Sequence, residues 1–324
     1  MTLLAGLAQA GIFTEKTTMS EWPEREIEAD LVTPRGWLRV GLAADMKRST
    51  ASRNDSGALT PHEGAVWSYS QAWLKLDQGF SKRLSFYCHI PYVMARLQNA
   101  EDADISTRAF GDLHTGFIYQ PWIDTPNKVA FVGDLKAASG VEWPSDFSGG
   151  EASTGSFLTG TGVTNVDLAL RARRAFGPVA PNLDLGYTFK IPTVVGYVVQ
   201  TDGFGNGWLD PGDALHARAG LDLQAGDKLM LSAAANYSRR GVYKIGVAGP
   251  GVWDLDLREI PDTDGWFLDV EAGASLTVNR NFGLRYDLAW QATGTSTEHF
   301  DHFGLEEFSP QPGLTHGLTA EVRW

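Results

Sequence analysis

The last eleven residues, Leu314 to Trp324, alternate in chemistry and stop on an aromatic. Leu314, Leu318, Ala320, Val322 and Trp324 share one parity, whereas Thr315, Gly317, Thr319, Glu321 and Arg323 share the other. A period of two belongs to a strand whose successive side chains meet unlike surroundings. A segment of this length, tilted, crosses a thin bilayer once, with one face to lipid and one to a polar interior. Leu318, Ala320, Val322 and Trp324 then read as a terminal signature for barrel-assembly machinery.

The pattern recurs along the chain. Leu183, Leu185, Tyr187, Phe189 and Ile191 oppose Asp184, Gly186, Thr188 and Lys190, and Leu215, Ala217, Ala219, Leu221 and Leu223 oppose His216, Arg218, Gly220 and Asp222. Helical spacing would scatter both sets. Segments 266–276 and 282–291 repeat the alternation, and weaker versions cover 38–46, 66–76, 84–90, 113–119, 129–137, 166–172 and 229–237. In the second of these, Trp67 and Tyr69 sit on the parity opposite to Leu74 and Leu76. The outward faces so drawn hold no Asp, Glu, Lys or Arg, although 20% of the chain is charged.

Connection lengths supply an independent constraint. Segments 47–65, 95–109, 139–163, 192–213, 239–264 and 292–313 are long, and they alternate with short ones at 77–83, 120–128, 173–182, 224–228 and 277–281. A soluble β-sandwich has no reason to segregate loop lengths in this way. The expected fold is all-β: a transmembrane antiparallel up-and-down barrel of about twelve strands, with long extracellular loops, short periplasmic turns and both ends at the periplasm. Its environment is outer-membrane lipid.

Composition removes several functional classes. A net charge of −12 disfavours nucleic acid, whose binding relies on Lys and Arg. Cys88 is the single cysteine, so an intrachain disulfide and a cysteine metal cluster are both excluded. Residues 1–10 resemble a truncated secretory signal ending in Ala8-Gln9-Ala10, with a mature chain from near Gly11. Residues 11–35 form a charged stretch, either a plug or a periplasmic extension, and 36–324 form the barrel.

The inward parity carries Arg39, Asp134, Lys136, Asp167, Arg171, Arg173, Asp184, Lys190, His216, Arg218, Asp222, Asp269, Glu271, Arg285 and Asp287, joined by Asp45, Glu321 and Arg323. Both signs are interleaved, which fits a salt-bridged closed lumen or a narrow aqueous path. Pro91 cannot donate to a ladder, so it either ends the third strand or kinks it into a lateral gap flanked by Tyr87 and Tyr92, with Trp67 and Tyr69 nearby.

Other motifs are weak. The segment Asp202 to Asp213 is rich in glycine and acid but lacks calcium-loop spacing, so it reads as turns. His299, Asp301, His302, Glu306 and Glu307 read as a solvated outer loop, and no resident metal or other cofactor is expected. Outer-membrane phospholipases need a His-x-Ser on a lipid-facing strand. Here His89, His114 and His216 fall on the inward parity and Leu318 stands where His316 would need a serine. No enzymatic activity is expected.

Three passages add a resemblance: Phe80 to Val93 with its apolar-Pro-Tyr step, the Gly-Asp-Leu opening of Phe110 to Tyr119, and the glycine loop Thr159 to Gly162. Together they resemble the outer-membrane proteins of the meta-pathway of phenol degradation family, similar in style to FadL-type hydrocarbon transporters. The resemblance implies a barrel admitting small apolar or aromatic compounds, although FadL-type proteins have fourteen strands and a hatch motif missing here. Two functions stay open: passive passage of small molecules, through the lumen or a gap near Pro91, and a non-transporting surface barrel whose acidic outer loops bind a partner.

Overall fold

The computed structural model describes residues 26–49, 51–53, 59–61, 66–98, 104–122, 125–139, 163–200, 203–248, 255–259, 264–295 and 313–324. The signal-like start, the glycine loop 159–162 and the His299 to Glu307 cluster lie outside them. Twelve strands form one antiparallel ring: β1 Leu38–Ser49, β2 Val66–Gly79, β3 Leu84–Gln98, β4 Leu113–Tyr119, β5 Asn127–Ala137, β6 Asn165–Arg174, β7 Val179–Lys190, β8 Ala214–Gln224, β9 Leu229–Arg240, β10 Gly265–Asn279, β11 Phe282–Thr295 and β12 Leu314–Arg323. Each pairs with its neighbours in sequence, and β1 pairs with β12 from Arg39↔Arg323 to Arg48↔Leu314, which closes the ring. Closure matters because hydrocarbon offers no partner to an unpaired N–H or C=O.

The faces separate as alternation requires. Leu168, Leu170, Leu183, Leu185, Leu215 and Leu221 project outward and are exposed, a burial pattern that inverts a soluble core. The strands run past the expected limits, and the added outward positions bring arginines at the ends: Arg48, Arg96, Arg108 and Arg239 at the outer rim, Arg174 at the periplasmic rim. A charge there reaches headgroups, whereas at mid-depth it would not.

Proline 91 corrects one expectation. β3 does not end there; it continues to Gln98, with Pro91 opposite Trp73. On its other edge the partner changes from β4 to a strand at Asp104–Phe110, with three residues, Gly111 to Leu113, spanning two, Ile90 and Pro91. This is a one-residue bulge, which tolerates a missing donor. Gly111 N–H donates to the Pro91 carbonyl at 3.0 Å, so the wall is stitched at that point.

The long connections carry β-structure of their own. Thr193–Gln200, Gly203–Asp210, Lys244–Ala248 and Leu255–Glu259 build a four-stranded sheet from the β7–β8 and β9–β10 loops, and Ala51–Arg53 pairs with Leu59–Pro61. Gly203–Asp210 is therefore strand where turns were expected, because it pairs with its neighbour along most of its length. Among the described residues of that segment, Pro211-Gly212 is turn-like, with Gly212 at φ +65°.

Leu185 sits mid-strand on β7 with its side chain 45% exposed outward. Leu185→Arg is expected to destabilise the barrel by roughly 2–4 kcal/mol in reversible denaturant unfolding from lipid vesicles.

Candidate functional site

The interior of the ring is a ladder of charges held by complementary neighbours. Arg171 Nε lies 3.2 Å from Asp184 Oδ1, Arg218 Nε 2.8 Å from Glu271 Oε2 and Arg285 Nε 2.8 Å from Asp287 Oδ2. Arg39 Nη2 is 3.4 Å from Asp77, and its Nη1 is 4.0 Å from Glu321. Lys136, nearly buried, faces Asp112 at 3.8 Å. Three histidines each meet a carboxylate: His89 with Asp77, His114 with Asp134 and His216 with Asp167. Such pairing offsets the cost of holding ions in a confined interior. Side chains this large fit because small residues oppose them: a Cβ on Gly186 would lie 2.1 Å from His216 Nε2.

Most expected lumen residues therefore meet one another across the wall. Asp222 is buried, and Asp269 stands between Asn236 and Gln291 in the ladder. The Lys190 backbone N–H donates to Asp213 Oδ1 at 2.9 Å. Tyr87 and Tyr92 do not come together. Tyr87 points inward and donates to Asp134 Oδ2 at 2.7 Å, while Tyr92 points outward and meets Phe110 edge-on. A lateral gate built of Pro91, Tyr87 and Tyr92 is thus not assembled. Leu318, Val322 and Trp324 are exposed on the outer face, and Ala320 shares their parity.

The inward parity places further residues inside the ring. Lys75, Asp77, Trp73 and Ile118 line the interior, and Trp73 Nε1 donates to Asp45 Oδ2 at 2.8 Å. A longer-range contact had no sequence signal. The segment before β1 enters the periplasmic end of the ring as a single 3-10 turn, Glu26–Glu28, with Ile27 only 1% exposed. On one side the Arg173 guanidinium of β6 donates to the carbonyls of Glu26, Ile27 and Ala29 at 2.8–3.0 Å. Lys128 and Gln120 hold Asp30 at 2.6 and 2.8 Å.

On the other side Glu26 accepts from Ser275 and Thr277 of β10 at 3.3 and 3.5 Å, and Arg323 of β12 lies 3.5 Å away. β6 and β12 are half a circuit apart, so the segment bridges opposite walls. Its exit is fixed at Gly79, whose N–H and carbonyl pair with Trp37 and Gly36; a Cβ there would stand 1.8 Å from the Pro34 carbonyl oxygen. Above Glu26 the lumen opens into a cavity of about 590 Å³, reached by Arg39, Lys75, Tyr87, His89 and Asp134.

No family model and no curated protein matches the sequence. Among solved structures the chain is similar to the COG4313 outer membrane channel from Pseudomonas putida F1, at 14% identity and TM-score 0.64, covering 92% of this chain and 98% of that one. The translocator domain of autotransporter NalP from Neisseria meningitidis aligns at 12% identity and TM-score 0.47, over 89% and 88% of the two chains. The NanC porin aligns at 8% and 0.43, over 88% and 98%. The first similarity supports the fold, an outer-membrane barrel, which accords with the apolar outer face and the closed ring.

Arg173→Ala removes every contact of this guanidinium with the segment. Hydrogen bonds to a charged group contribute about 1.5–3 kcal/mol, so cleavage at Glu26 or Glu28 by a glutamyl endoprotease is expected to accelerate about tenfold or more. Arg218→Ala, whose partners Asn182 and Glu271 lie in the wall, should leave that rate unchanged.

Proposed function

We propose that this protein is an outer-membrane channel for passive passage of small molecules, with an axial route through the lumen and a periplasmic mouth closed by residues 26–31. The observation that carries this reading is the polar cavity above Glu26, floored by a segment attached through side chains and hydrogen bonds rather than by the wall itself. A barrel with only a structural role would gain nothing from a removable floor. The stitched bulge at Pro91 favours the axial route over a lateral one.

The resemblance to the phenol-degradation family supports a solute with an aromatic or apolar body, and Tyr87, Ile118 and Val132 give the cavity surface suited to one. The density of charges around them favours a solute that also carries a polar group, since a wholly apolar compound gains nothing from displacing water there. Outer-membrane lipid and the assembly machinery that reads Leu318, Ala320, Val322 and Trp324 are the partners this function requires.

Planar-bilayer recording of refolded protein tests the proposal. Wild-type protein is expected to give unitary currents with a low open fraction, and Arg173→Ala a severalfold higher open fraction at unchanged heat resistance of the barrel. Folded Arg173→Ala protein that carries no current would overturn the channel reading in favour of a closed surface barrel.

A further inference from the structure

Under the channel reading just proposed, the class of solute follows from what holds Glu26. Among the described residues its carboxylate is met by donors: the hydroxyls of Ser275 and Thr277 reach Oε2, and the Arg323 guanidinium faces Oε1. With Glu26 seated, Arg323 is 5% exposed and Ser275 9%, while Thr277 is half-buried, so the seated carboxylate and its donors are largely shielded from water. Confinement strengthens charge-assisted hydrogen bonds and makes an unfilled donor set costly. Arg323 also donates through Nε to Glu321, which fixes the fork and leaves Nη2 directed at Glu26.

The surroundings continue the pattern. Arg39 lines the same cavity, and its buried Nε has no hydrogen-bond partner among the described residues. Ile118 of β4 and Val132 of β5 line the cavity as well, and those strands lie across the ring from β10 and β11. One wall thus presents Ser275, Thr277 and Arg323, with Asp287 and Glu321 alongside, and the facing wall presents Ile118 and Val132, with Tyr87 and Asp134 beside them.

We propose that Ser275, Thr277 and Arg323 form a binding site for the carboxylate of a small organic acid with an apolar body, and that Glu26 is its internal occupant. Solute and N-terminal segment then compete for one site. A carboxylate arriving in the cavity displaces Glu26, the segment keeps only its Arg173 side, and the mouth opens. Passage becomes selective for acids because only they release the floor.

The test uses benzoate as the carboxylate probe and benzyl alcohol as its uncharged counterpart, on the full refolded chain. Calorimetric titration is expected to show benzoate binding Glu26→Gln about tenfold tighter than wild type, the worth of about one charged hydrogen bond. Benzyl alcohol should not distinguish the two proteins. Adding Ser275→Ala and Thr277→Val should abolish the gain, and this variant keeps Arg323, whose loss from the closing strand could prevent folding. In bilayers benzoate, not benzyl alcohol, should raise the wild-type open fraction.

Equal benzoate affinity in wild type and Glu26→Gln would overturn the site, as would a gain that survives loss of both hydroxyls. If benzoate binds as expected but no variant conducts, the site stands and the channel reading fails. If the protein conducts without this binding, the reverse holds.

Discussion

The pairing of β1 with β12 is the contact on which everything else in this molecule depends. Leu38 and Trp324 exchange backbone hydrogen bonds of 2.9 and 3.1 Å, and ten further register pairs follow toward the outer rim. Without that seam two strands would present unpaired edges to lipid, which hydrocarbon does not tolerate. With it, every inward side chain is confined with the others in a space where charges must find partners. The same last strand also delivers Arg323 to the periplasmic end of the lumen, where it meets Glu26. Closure of the wall and closure of the mouth therefore share a structural element.

The lumen is not uniformly filled. Around Arg218, Glu271 and Asn182 the side chains satisfy one another across the ring and occupy the space between β7 and β10. On the remaining arc the cavity persists. Its periplasmic boundary is supplied from outside the strands, by the segment that begins at Glu26. A segment held by the half-buried Arg173, with Lys128 and Gln120, on one wall and by a carboxylate receptor on the other is stable while both sides are engaged, and loses part of its hold when either fails. Local stability of this kind is what a gate needs, since an element woven into the sheet could not leave without breaking backbone hydrogen bonds.

What was legible in the sequence is what lipid dictates. The outward faces must be apolar whatever the interior does, so Leu183 to Ile191 and Leu314 to Trp324 announce themselves by parity, and alternating loop lengths follow from up-and-down topology. Parity also separates Tyr87 from Tyr92: a spacing of five residues puts them on opposite faces, so they could not line one gap. A missing N–H commonly ends a strand, yet at Pro91 a bulge accommodates it, and the Gly111 N–H still satisfies the Pro91 carbonyl. Strand ends were underestimated because Arg48, Arg96 and Arg239 break the apolar pattern, although rim arginines are compatible with membrane strands. The crossing segment was beyond reach: Glu26 meets Arg323 across nearly the whole chain, and no local pattern encodes a contact of that range.

Closure of a conducting lumen by residues 26–31 is read most directly from current through one channel whose floor can be fixed and freed. With Cys88 replaced by serine, cysteines at positions 26 and 275 joined by a cleavable bifunctional thiol reagent tether the segment to β10. The channel is expected to be silent while the tether is intact and to pass unitary current when reductant is added to the same bilayer. Current that is identical before and after cleavage would contradict this closure.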